Sequence, residues 1–148
     1  ALFVSGRRAP TAPVPAGRPV LHTLSDAALE RELVAMNGME PAVLADRDLM
    51  AILRDIFRAD FTLCETHTHV VEAPLACPIA AFGGTADPGV PIEDLPRWGE
   101  QTAAGLRCYR FPGGHFFFKD AWPAFAQALV DELRPHLDAA SPRYRIGA

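Results

Sequence analysis

Cys77-Pro78-Ile79-Ala80-Ala81-Phe82-Gly83-Gly84-Thr85-Ala86-Asp87 is the stretch that decides the fold. Residues 77–82 are a continuous apolar run closed by two glycines. Such a run suits a strand buried on both faces of a parallel sheet. Residues 106–111 read as another strand, followed by a tight turn at Pro112-Gly113-Gly114-His115. Between the two, residues 92–103 read as a helix, with Glu93 and Asp94 near its positive end. After His115, Asp120 is expected to cap a last helix that tolerates Pro123 in its first turn. Trp122, Phe125, Leu129, Val130 and Leu133 would line one face of that helix. Strand, helix, strand, helix predicts right-handed βαβ units, hence an α/β fold with a parallel sheet.

In such sheets, ligands gather beyond the carboxyl ends of the strands. Asp87 follows the first of these strands and His115 the second. A carboxylate that accepts from one imidazole nitrogen fixes the tautomer, so that the other nitrogen can take a proton from a nucleophile. The glycines before His115 allow a sharp turn there. The same spacing also suits a plain turn residue before Pro88 and a residue leading into a helix.

Upstream, Leu2-Phe3-Val4 reads as a third strand, ended by Ser5-Gly6. Opening on a strand, without an initiator Met, suggests a start inside a larger domain. Residues 7–19, rich in Pro, Ala and Gly, read as a surface loop. Thr23 and Asp26 look like a capping box for a helix bearing Leu29, Leu33 and Met36, which Asn37-Gly38 would end. Asp46 would cap a second helix, with Leu49, Ile52, Leu53, Ile56 and Phe57 on one stripe. A third, weaker helical stretch is expected over 60–69, and a disordered tail over 138–148.

The net charge of −4, with thirteen scattered Arg and Lys119 as the single Lys, argues against nucleic acid or an anionic membrane as partner. No apolar run approaches the ~20 residues of a membrane span, and Ala1-Leu2-Phe3-Val4 is no signal peptide, so the expected location is cytoplasmic. Cys64, Cys77 and Cys108 form no C-x-x-C and read as small hydrophobes in a reducing compartment. A cysteine hydrolase pairing Cys77 or Cys108 with His115 is disfavoured, because both thiols fall in strands expected to be buried. His67 and His69 would share a face only on a strand, and their stretch reads as helix, so no metal site is expected. Met36, Met39, Phe57 and Phe61 read as core rather than pocket, and His22 as structural.

"LFVSGRRAP" (2–10), "HTLSDAALERELVAMNG" (22–38), "VLADRDLMAILRDIFRADF" (43–61), "PLACPIAAFGGTADPGV" (74–90), "LPRWGEQT" (95–102) and "RFPGGHFFF" (110–118) succeed one another in the order and spacing of type II thioesterases. The chain resembles these stand-alone enzymes of polyketide and nonribosomal-peptide pathways over about residues 2–133. The resemblance implies that residues 1–148 are the C-terminal part of one α/β-hydrolase domain, with residues 22–70 as an inserted helical lid. It makes Asp87 the triad acid and His115 the base. The family nucleophile is a Ser in a G-x-S-x-G elbow, and none of Ser5, Ser25 and Ser141 lies in such a motif. The activity that the resemblance implies is hydrolysis of acyl thioesters on the phosphopantetheine arm of acyl or peptidyl carrier proteins, clearing stalled or misprimed synthases. No cofactor is implied, and the chain is expected to be inactive alone. Where the family often has Leu-Pro, this chain has Arg54-Asp55, which puts the lid's helix break in doubt. The alternative is a non-catalytic α/β-hydrolase remnant serving as a carrier-protein or subunit interaction module.

Overall fold

Alternation along the strands determines how the sheet is buried. A computed structural model describes residues 1–36 and 38–140. Strands β1 (Leu2–Ser5), β2 (Ile79–Gly84) and β3 (Leu106–Phe111) form a parallel sheet in the order β1-β2-β3. Every residue of β2 is buried. Ile79 and Ala81 face one side, packed with Ala9, Leu95 and Trp98. Ala80 and Phe82 face the other, packed with Phe111 and Phe117 and with Phe125 and Leu129 of α4 (Trp122–Ala140). This is the period-two burial expected of a strand covered on both faces. The Phe82 ring stacks on Tyr109 at 4.9 Å and meets the edge of Phe125 at 5.6 Å. Truncating a buried Phe of this kind costs about 3–5 kcal/mol.

Several elements differ from expectation. β2 starts two residues later than predicted and includes Gly83 and Gly84, which pair with Arg110 and Phe111. Cys77 therefore lies outside the strand. Residues Ile92–Gln101 form 3-10 turns rather than an α-helix. Pro96 sits inside them, and its missing N–H interrupts α-helical bonding. The last helix starts at Trp122, with the Ala121 carbonyl accepting from Phe125 N, so Asp120 is not its first cap. Trp122 and Val130 of the predicted apolar face are exposed. Glu132, on the same helix, is buried instead, joined to Arg107 and Tyr109 of β3. That bond to Glu132, then burial, pushes the Tyr109 hydroxyl above its usual range. α4 runs through the expected start of the tail to Ala140, and residues 141–148 lie outside the described residues.

The chain divides into two compact units, residues 1–12 with 72–148, and residues 13–71. The second is helical. Its α1 (Asp26–Ala35) is capped by Ser25, whose hydroxyl accepts from Ala28 N, and not by Thr23, which instead donates to the Val20 carbonyl. Asn37 lies outside the described residues. A short α2 (Pro41–Ala45), not anticipated, precedes α3 (Arg47–Thr66). Asp46 caps α3 as expected, accepting from Asp48 N and Leu49 N. α3 runs unbroken through Arg54-Asp55 and absorbs most of the expected third helix, leaving His67 as its C-cap and His69 beyond it. The core of this unit is Leu21, Leu29 and Leu33, with Met36, Met39, Phe57 and Phe61 packed on it. Ile52 and Ile56 of the predicted stripe are exposed, and Met50 is buried. Arg58 of α3 donates to the carbonyls of His22 and Leu24 and pairs with Asp26, which anchors the entry to α1.

Candidate active site

Asp87 and His115 are brought together by the loops that leave β2 and β3. These loops are stitched side by side, with Thr85 N donating to the Phe111 carbonyl and Ala86 N to the Gly113 carbonyl, both at 2.9 Å. Only glycine fits at residue 84. A Cβ there would stand 2.2 Å from the Gly114 oxygen and 2.6 Å from the Gly113 oxygen. Gly113 turns with φ of +115°, a conformation other residues rarely adopt.

His115 Nδ1 and Asp87 Oδ2 are 2.8 Å apart. The carboxylate only accepts, so Nδ1 carries the proton and Nε2 is the nitrogen left for chemistry. The other carboxylate oxygen, Oδ1, accepts from Gly89 N at 2.8 Å and Val90 N at 3.2 Å. Asp87 is thus held at both oxygens, its side chain 2% exposed, while the His115 side chain is 39% exposed. A buried acceptor behind a half-exposed imidazole can hold one ring orientation and stabilise the imidazolium when Nε2 takes a proton. The His115 ring also meets Phe116 edge-on, with centroids 5.1 Å apart.

The other residues singled out from sequence lie elsewhere. Ser5 ends β1 and is exposed, Ser25 caps α1, and Ser141 lies outside the described residues. Cys64 is exposed, while Cys77 and Cys108 are half-buried, and burial pushes the Cys108 thiol up, making it a poorer nucleophile. Among the described residues no three His, Cys, Asp or Glu side chains group as metal ligands. No helix among them is long and apolar enough to cross a membrane.

Two features escaped sequence reading. His22 Nδ1 lies 2.7 Å from Oε2 of Glu65, 43 residues away, and no local pattern announces that pairing. Gly6 read only as a turn glycine, yet it lies directly under the His115 ring.

The family described as "Thioesterase domain" matches residues 1–134. The gramicidin S biosynthesis protein GrsT of Aneurinibacillus migulanus is 38% identical over 133 residues, which is 90% of this chain and 51% of that protein. Thioesterase PikA5 of Streptomyces venezuelae is 32% identical over 132 residues, 89% of this chain and 46% of that one. Among solved structures, the type II thioesterase BorB from the borrelidin biosynthetic cluster superimposes with a TM-score of 0.75 at 32% identity, covering 89% of this chain and 53% of BorB. The chain spans about half the length of the curated relatives it matches.

Proposed function

The chain belongs to the thioesterase domain family, alongside type II thioesterases of nonribosomal-peptide and polyketide pathways with the α/β-hydrolase fold, and from that premise we propose that it supplies the acid and base of a serine thioesterase acting on carrier-protein-bound acyl groups. The observation that carries this is the bond between Asp87 Oδ2 and His115 Nδ1, at the carboxyl ends of adjacent parallel strands.

His115 Nε2 removes the proton from a serine hydroxyl as the oxygen attacks the thioester carbonyl, and Asp87 stabilises the imidazolium. The tetrahedral intermediate collapses with loss of the phosphopantetheine thiolate. With a pKa near that of a Cys thiol (~8.5), this leaving group needs little acid assistance. Water, deprotonated by the same nitrogen, then frees the acyl group from the serine. None of the three serines of residues 1–148 lies in a G-x-S-x-G elbow, so on this proposal the nucleophile and the oxyanion-hole amides come from a separate segment. No cofactor takes part. The helices of residues 13–71 come after the carboxyl end of β1 in the chain, and we assign them the role of an acyl-channel lid. The biological task would be the clearing of stalled or misprimed synthases in the cytoplasm.

The test is hydrolysis of an acyl-pantetheine thioester. Residues 1–148 alone should show none above background. Co-expression with the elbow-bearing half of a relative such as GrsT should yield turnover that His115→Ala abolishes. Turnover by residues 1–148 alone would overturn the division of labour. A soluble complex with no turnover that still binds carrier protein would favour the non-catalytic interaction module.

A further inference from the structure

We propose that Gly6 is a positioning residue for His115. It gives the imidazole its seat at the end of β1, leaving room beneath the face of the ring. Gly6 N donates to the Phe82 carbonyl at 3.1 Å, which fixes its place in the sheet. Its φ of +58° then turns the chain out of the strand. A Cβ built at this position would lie 3.3 Å from Cε1 of His115, 3.7 Å from Nδ1 and 3.8 Å from Nε2. These distances place it over the face of the ring at Cε1, between Nδ1, bound to Asp87, and Nε2, free for chemistry. A methyl group here would press on that face. The 3.3 Å approach is too close for an ordinary carbon contact, so the ring would have to give by a few tenths of an ångström. Asp87 is anchored through both oxygens and cannot follow the ring, so a displaced imidazole disturbs the Nδ1 bond.

Three strands therefore build the base. β3 delivers His115, β2 delivers the carboxylate that orients it, and β1 ends in the one residue type that leaves room for it. Backbone strain alone does not account for the glycine. Gly105, with φ of +99°, has nothing within 4 Å of the corresponding Cβ position. Gly105→Ala therefore carries strain without touching the ring and serves as the control.

The role given to Gly6 rests on His115 being the base, but its test reads the ring itself, so absence of thioester hydrolysis would count against the function and not against the seat. Residues 1–148 are treated with diethyl pyrocarbonate, and carbethoxylation of each histidine is monitored by peptide mass mapping, with exposed His67 as internal standard. In Gly6→Ala, modification of His115 should slow by about fivefold, the order expected when a ring is pushed off its rotamer. In Gly105→Ala it should match the unmutated chain. Equal His115 rates in folded Gly6→Ala and in the unmutated chain would overturn the proposal. Should Gly6→Ala fail to fold, the unmutated chain decides. A nuclear Overhauser contact between the Gly6 α-protons and the His115 Cε1 proton supports the seat, and its absence refutes it.

Discussion

Among the described residues, two histidine–carboxylate pairs, one in each unit, have nearly the same bond. His115 and Asp87 are 2.8 Å apart, His22 and Glu65 2.7 Å. Each carboxylate is also held by two backbone amides, those of Gly89 and Val90 for Asp87 and those of Leu21 and His22 for Glu65. The settings differ. Asp87 is buried beneath a half-exposed imidazole at the carboxyl ends of a parallel sheet. In the other pair both side chains are about one-fifth exposed, and Glu65, in the last turn of α3, ties that helix to the 3-10 turn Leu21–Thr23. A pair of this kind is thus no signature of catalysis. A candidate base differs from a structural clasp in its asymmetric burial, with the acid dry and the histidine reachable, at a sheet edge where substrates collect.

The widest separation between the pairs should appear in catalysis. In an enzyme completed by an elbow-bearing segment, Asp87→Asn should lower kcat by about 10⁴-fold, because the amide favours the wrong imidazole tautomer. Glu65→Gln should change kcat far less, and comparable losses in steady-state assays of the two variants would erase the distinction. Next in size is the loop geometry behind the Asp87–His115 pair. Gly84→Ala drives a methyl group into two carbonyl oxygens and should cost about 3 kcal/mol, the upper end of overpacking penalties, read from the denaturant midpoint. A loss within experimental error would mean that the Gly113-Gly114 turn moves freely, and with it His115. Glu65→Ala strips two backbone amides and His22 of their acceptor and should cost about 2 kcal/mol by the same measurement.

The smallest effect is a pH dependence. Burial pushes Glu65 up, but the bonds from the His22 ring and from the backbone amides of His22 and Leu21 outweigh it and hold the carboxyl below its ordinary value of 4.5. As pH falls, the unfolded chain therefore takes up this proton before the folded protein does. The stability from Glu65 is complete above about pH 4.5 and is lost as pH falls through the lower folded value. In melts between neutral pH and pH 3, Glu65→Gln should flatten the acid limb of stability. An unchanged acid limb would show that other carboxylates dominate it.

The sheet was legible because its cause is local. Residues 77–82 and Leu2-Phe3-Val4 are apolar runs closed by turn residues, and Leu106–Phe111 is bounded by Gly105 and Pro112, local signals that β-structure follows where a sheet is covered. Helix ends were less legible. Thr23 and Ser25 both carry a hydroxyl suited to capping, and the choice of Ser25 depended on Thr23 being drawn into the 3-10 turn that Glu65 and Arg58 anchor from α3. The stripe of α3 was found but its orientation misjudged. Phe57 joins the core as expected, while Ile52 and Ile56, equally apolar in sequence, are left exposed because the core of Leu21, Leu29 and Leu33 meets another side of the helix. The burial of Glu132 was invisible for the same reason, since its partners Arg107 and Tyr109 belong to a strand more than twenty residues away.

By itself the sequence determined the chain order of strands, the presence of Asp87 and His115 in the turns after two of them, and the absence of a G-x-S-x-G motif from residues 1–148. Those are properties of composition and spacing, which short-range sterics and hydrophobic periodicity translate directly into local structure. Only the tertiary structure decided that the Asp87 carboxylate is dry, that His22 has Glu65 as its partner, and that Gly6 lies under the imidazole. Each of these depends on which segments the parallel register brings within a few ångströms. That register is set by burial of both sheet faces at once, a collective property that no single stretch of chain contains.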